Sequence, residues 1–291
     1  MKEVPVKFGR SSSLLGVVSE PETAVRSVCC ILVTAGLTLR SGPFRLYTTL
    51  ARRLAQQGVL VLRFDLDSIG DSGACYSDYS LNERTPLELQ AAVDFMHQQY
   101  GINQVVMGGL CSGAEAAFRY AEADRRVMGV LMYDPFAHPA SGHRWRVQRH
   151  RLYRRMLRFL GLFEPIRYAN GTGPNGSLVQ YQYMSYDESK RILANLIKRQ
   201  VYLHFVYTGA VHEVFNHPKQ LKKAFPELVD AEYSQVDFLA DISHTPVFAS
   251  QLENMTEVVA TKLVRFLDGL DPEPEALSVH VDGVTTSLSS S

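Results

Sequence analysis

The sequence has no cysteine pair at C-x-x-C spacing. Its four cysteines, Cys29, Cys30, Cys75 and Cys111, argue against a zinc site or a disulfide framework and suit a reducing cytosol. It also lacks an excess of either charge. Lys and Arg total 30 and Asp and Glu total 30, a formal net charge of zero, which disfavours a generic nucleic-acid binder. No run of 18 apolar residues is present, so no transmembrane span is expected. The opening MKEVPVKFGR has no apolar stretch of the signal-peptide kind, and a cytoplasmic location is expected. There is no G-x-G-x-x-G after the first apolar strand and no G-x-x-x-x-G-K-[ST], which counts against a nucleotide-binding α/β protein. No metal site and no cofactor is expected.

What is present is an ordinary globular chain. It has 291 residues, 46% hydrophobic and 21% charged, enough to bury a sizeable core. Short apolar runs at 26–35, 59–65, 103–110, 127–133, 201–207 and 233–239 read as buried strands. Between them lie helical patterns at about 44–57, 86–99, 112–122, 218–226 and 250–268, with Thr85–Pro86 read as a helix start. Strand–helix alternation with apolar strands predicts an α/β fold: a mostly parallel central sheet flanked by helices. In such sheets the functional loops lie at the strands' carboxyl ends. The alternation breaks at 137–199, which reads as a cap insertion. The core is then 1–136 with 200–269, and 270–291 reads as a poorly ordered tail.

The sharpest local signal is Gly109-Leu110-Cys111-Ser112-Gly113, a G-x-C-x-G between a strand and a helix. The nucleophile elbow is G-x-S-x-G in this same context. There the dipole of the following helix stabilises an anion. Cys111 satisfies the elbow spacing, with one residue between it and each glycine. Ser112 does not, and is the weaker candidate nucleophile. His244, in the DISHTPV loop after the last strand, is placed as a general base would be. His212 and His217 are weaker candidates. Two carboxylates compete for the third role: Asp134, directly after strand 127–133, and Glu213, four residues past Gly209. Asp134 is preferred, because its place at a strand end leaves it less chain freedom.

The stretches TAGLTLRSG, RFDLDSIGDSG, GLCSGAEAAF, LMYDP and ADISHTPVF occur in an order and spacing that resemble the α/β-hydrolase superfamily. The R-F-D-x-x-x-x-G-D-S block and the C-S-G-A elbow are most similar to its exosortase-associated branch. The resemblance covers most of 26–268. It implies an α/β-hydrolase fold, with Cys111 as nucleophile and His244 as base. It also implies an oxyanion hole from the Ser112 backbone N–H and a residue of the Gly36–Leu37 loop. Cys in place of Ser, and no Asp shortly after strand 201–207, are departures from the wider superfamily.

A Cys–His pair forms thioester intermediates with acyl substrates. The sequence therefore predicts an acyl-transfer enzyme (thioesterase, esterase, acyltransferase or cyclase) acting on a small-molecule acyl substrate. A non-catalytic binder on the same fold is the competing class. Seven arginines between His143 and Arg158 suit phosphate binding. Arg144, Arg151 and Arg155 are candidates to dock CoA or an acidic acyl carrier protein, against a solvated helix face. Trp145, Leu152, Tyr153 and Phe159 read as cap core.

Overall fold

The computed structural model describes residues 1–22, 25–76, 78–160 and 184–270. Apolar β-branched runs become strands β3 (Val28–Val33), β4 (Val61–Phe64), β5 (Gln104–Leu110), β6 (Val127–Tyr133), β7 (Tyr202–Thr208) and β8 (Ser234–Leu239). Two further strands, β1 (Lys2–Phe8) and β2 (Leu14–Glu20), were not expected. β1 is solvent-accessible along most of its length and carries Pro5, as an edge strand does. The sheet order is β1-β2-β4-β3-β5-β6-β7-β8. β1–β2 and β2–β4 pair antiparallel, and every other neighbouring pair is parallel.

Helices cover both faces. α2 (Leu81–Tyr100), α3 (Ser112–Ala123) and α5 (Tyr186–Lys198) pack on one side, and α1 (Leu46–Ala55) and α7 (Ala249–Asp268) on the other. β3 shows the division: Cys29, Ile31 and Val33 face the first layer, and Cys30 and Leu32 the second. That alternation is the period-two rule for a strand buried on both faces. α4 (His143–Phe159) and the short α6 (Gln220–Ala224) complete the described α-helices.

Three expectations need correction. α2 begins at Leu81, not at Pro86. Ser80 caps it reciprocally with Glu83, a capping box that satisfies two orphan N–H groups. The 137–199 stretch divides in two. α5 buries Ile192, Leu193 and Leu196 in the same core as the sheet, while α4 buries only His143 and Val147. Trp145, Leu152, Tyr153 and Phe159 are exposed rather than core. The Gly/Asn-rich loop at 169–177 and the tail from 271 lie outside the described residues. Among the described residues no helix is long and apolar enough to cross a membrane.

Candidate active site

β5 ends in a turn sharp enough to need both flanking glycines. Cys111 adopts φ 52°, ψ −117°, a strained conformation for a residue with a side chain. A Cβ on Gly109 would lie 2.6 Å from the Ala114 nitrogen, and one on Gly113 2.5 Å from the Val33 carbonyl. The elbow therefore interlocks with the end of β3, where the 36–42 loop begins. Tyr47 braces the same junction from α1. Its buried hydroxyl accepts from Leu110 N–H at 2.9 Å and donates to the Val33 carbonyl at 2.9 Å. Burial pushes the Tyr47 phenol well up, so it remains a donor. Sequence reasoning missed Tyr47; its one signal was a tyrosine on the apolar face of the first helix.

The carboxylate beside His244 is that of Asp134. Asp134 Oδ2 lies 2.8 Å from His244 Nδ1. The same carboxylate accepts from Thr208 N–H and from the Thr208 hydroxyl, each at 2.7 Å. Thr208 closes β7 and was also missed. The Asp134 backbone at φ 44° turns the chain at the end of β6, and its N–H donates to the Val206 carbonyl at 2.8 Å. The acid thus leaves one strand, is gripped by the end of the next, and orients a histidine carried by the loop after the third.

That loop is anchored too. Ile242 is buried in the second core layer, and Gly209 N–H donates to its carbonyl at 3.1 Å. Ser243 donates to the Thr245 carbonyl at 2.6 Å. With Nδ1 committed to Asp134, Nε2 is the nitrogen left for the Cys111 thiol. The hydrogen bond to Asp134 first, and the nearby Cys111 sulfur second, raise the His244 pKa to about 10, against the opposing effect of burial. The arrangement favours imidazolium beside sulfur.

Glu213 is exposed and held by Arg151 at 2.9 and 2.5 Å, an ion pair on the surface. His212 stacks against His150 at 4.0 Å between ring centroids, and His217 accepts from Lys219 N–H at 3.0 Å. His204 is buried against Asp237 at 2.7 Å. His143 is buried, and His138 is half-buried beside Ser189. Of the candidate docking arginines, Arg144 and Arg155 lie on exposed α4 with Arg151.

Ser112, Gly36 and Leu37 line one cavity of about 570 Å³. Ser112 opens α3, where first-turn N–H groups have no intrahelical acceptor. The R-F-D-x-x-x-x-G-D-S block explains how the 36–42 loop is held beside it. Arg40 N–H donates to Asp65 Oδ1 at 2.6 Å, and the Arg40 guanidinium pairs with Asp65 and Asp71. Ser72 donates to the Asp65 carbonyl at 2.7 Å and accepts from Leu15 N–H at 2.9 Å. From this rim the cavity runs between α2 and α3, walled mainly by Leu66, Ile69, Leu81, Leu87, Leu89 and Ala116. Among the described residues no group of three His, Cys, Asp or Glu side chains could hold a metal ion.

No family model and no curated protein matches the chain. Solved structures do match it. An α/β serine hydrolase without a lid from Xanthomonas campestris is 16% identical, with 91% of this chain and 95% of that one covered and a TM-score of 0.55. A Pyrococcus furiosus esterase is 14% identical, with 91% of each chain covered and a TM-score of 0.57. An α/β hydrolase from Penicillium sp. sh18 is 17% identical, with 92% and 99% covered and a TM-score of 0.55. At such identities the likeness is one of fold, and the chain has the α/β-hydrolase fold.

Proposed function

We propose that this protein is an acyl-transfer enzyme that cleaves ester or thioester bonds through Cys111, His244 and Asp134. The observation that carries the reading is the relay: one imidazole hydrogen-bonded to a buried, doubly anchored carboxylate, with the sulfur of a cysteine on a strained elbow near enough to raise its pKa further. Solved neighbours described as esterases and α/β hydrolases support the same class.

In this mechanism Cys111 Sγ attacks the acyl carbonyl and its oxygen takes the negative charge. The Ser112 N–H and an N–H of the Gly36–Leu37 turn receive that oxyanion, as preorganised donors do. Imidazolium at His244 protonates the leaving oxygen or sulfur as its bond to carbon breaks, which leaves an acyl thioester on Cys111. His244, now neutral, takes a proton from water or another acyl acceptor as that nucleophile attacks the thioester, and the C–S bond then breaks to release the acyl product and return Cys111 sulfur beside imidazolium. Asp134 holds the tautomer and balances the imidazolium throughout. The apolar cavity beside Ser112 takes the acyl chain, since apolar walls with few polar groups are how such pockets bind.

The R-F-D-x-x-x-x-G-D-S and C-S-G-A blocks support assignment to the exosortase-associated branch and a biosynthetic role. Four free cysteines support a cytoplasmic setting. The test is intact-mass spectrometry after exposure to acyl thioesters and p-nitrophenyl esters of increasing chain length. Wild-type protein should gain one acyl mass, while Cys111→Ala should gain none and lose turnover with its fold intact. Turnover near the wild-type level in Cys111→Ala would remove the proposal.

A further inference from the structure

Helix α4 is unused by the proposed chemistry, and its composition is extreme. Seven of its 17 residues are arginine, and none is acidic. At 100° per residue its buried positions, His143 and Val147, share one side with half-buried Leu157. Trp145, Leu152, Met156 and Phe159 fall on the opposite side, at spacings of seven, four and three. They are 61%, 68%, 49% and 91% exposed. Apolar periodicity is therefore present, but it is turned away from the described core.

Arginines border this line on both sides. The Arg149 guanidinium stacks over Trp145 at 4.8 Å, and Arg144 and Arg155 follow the other edge of the helix. Arg146 and Arg151 instead turn to Asn216 and Glu213 and tether α4 to the loop after β7. The exposed line runs 14 residue steps from Trp145 to Phe159, about 21 Å at 1.5 Å per residue.

We infer that α4 is a docking element for anionic lipid bilayers, lying in the membrane surface with Trp145, Leu152, Met156 and Phe159 immersed. A large apolar stripe flanked by Arg and lacking acid is the pattern of helices that lie in the headgroup region. Arg144, Arg149 and Arg155, which border the stripe, meet lipid phosphates of opposite sign. A second copy would set arginine against arginine. An acidic carrier protein would satisfy the charge, but an exposed apolar ridge then needs a matching groove, which a bilayer does not.

Trp145 is the chain's one tryptophan, so its fluorescence reports on this stripe alone. The experiment titrates the full-length protein with phosphatidylcholine vesicles, with and without phosphatidylglycerol, and follows Trp145 emission and co-flotation. A blue shift and flotation confined to phosphatidylglycerol vesicles are expected. Leu152→Ser with Phe159→Ser, and separately Arg144→Glu with Arg155→Glu, should each weaken binding at least tenfold. Turnover of a soluble ester should be unchanged in both. Circular dichroism checks that each pair folds, and a pair that misfolds leaves the other to decide. Four results would each overturn the inference. One is no shift with either vesicle. A second is equal binding by the two double variants and wild type. A third is Trp145 emission already blue and shielded from acrylamide without lipid, with the protein monomeric or self-associated. The last is a shift produced by an acidic acyl carrier protein while vesicles produce none.

Discussion

His244 is held as a cation by its neighbours, and the largest contribution comes from Asp134. Its folded pKa of about 10 lies above the ordinary histidine value of about 6.5. The stabilisation linked to this proton is therefore complete below about 6.5 and is lost as pH rises through about 10. Asp134→Asn should bring the imidazole titration, followed by NMR, down by more than one unit and flatten that alkaline loss of stability. The same variant should lower kcat/KM by up to about 10⁴-fold, because an amide fails to fix the tautomer or balance imidazolium. Glu213→Gln should leave kcat/KM near wild type, since that carboxylate is spent on Arg151. A fully active Asp134→Asn enzyme beside a dead Glu213→Gln enzyme would reverse the assignment. The geometry around Asp134 was half legible in the sequence. Its place at a strand end was readable, because a short apolar run shows where a strand stops. The grip of Thr208 was not, because it depends on β6 and β7 being neighbours, which strand patterns alone leave open.

Helix α2 carries a different buried acid. Glu88 is fully buried; one carboxylate oxygen accepts from Asp67 N–H at 3.1 Å and the other has no hydrogen-bond partner. Burial, reinforced by the Asp67 charge and opposed by that hydrogen bond and by Arg84, pushes its pKa up to about 7. The native state then binds more protons than the unfolded chain between about 4.5 and 7, so stability falls as pH rises through that window. Glu88→Gln removes the charge and keeps the shape. It should raise Tm at pH 8 by a few degrees, on the order of 2 kcal/mol, and make little difference at pH 4.5. Equal melting curves at pH 8 would show that the buried charge is fully compensated. Elements like α2 were legible as patterns but not at their ends. Thr85–Pro86 looked like a start because proline favours the first turn, yet the Ser80–Glu83 capping box begins the helix one turn earlier. α4 failed in the opposite way. Its apolar residues were read as cap core, but apolar character does not say which side faces inward, and the burial of His143 and Val147 alone settles that.

The sheet sets the whole arrangement by holding adjacent strand ends in register. β5, β6, β7 and β8 are parallel neighbours, so Cys111, Asp134, Thr208 and the His244 loop arrive on one edge. The alternation of strands and helices made this edge readable from sequence, while the antiparallel β1–β2 extension, half-exposed and without a long apolar run, did not announce itself. The same logic separates the two helices between β6 and β7. α5 supplies Ile192, Leu193 and Leu196 to the core layer that also holds α2 and α3, so it belongs to the sheet's own packing. α4 contributes almost nothing to that layer. Leu196→Ala should therefore cost about 2–5 kcal/mol, the range for emptying a buried leucine site. Leu152→Ala should stay within about 0.5 kcal/mol, as exposed substitutions do. Urea unfolding of both variants beside wild type makes the comparison. If Leu152→Ala were as costly as Leu196→Ala, the exposed stripe of α4 would be covered in solution. Integration of α5 into the core would be refuted by a Leu196→Ala protein as stable as wild type.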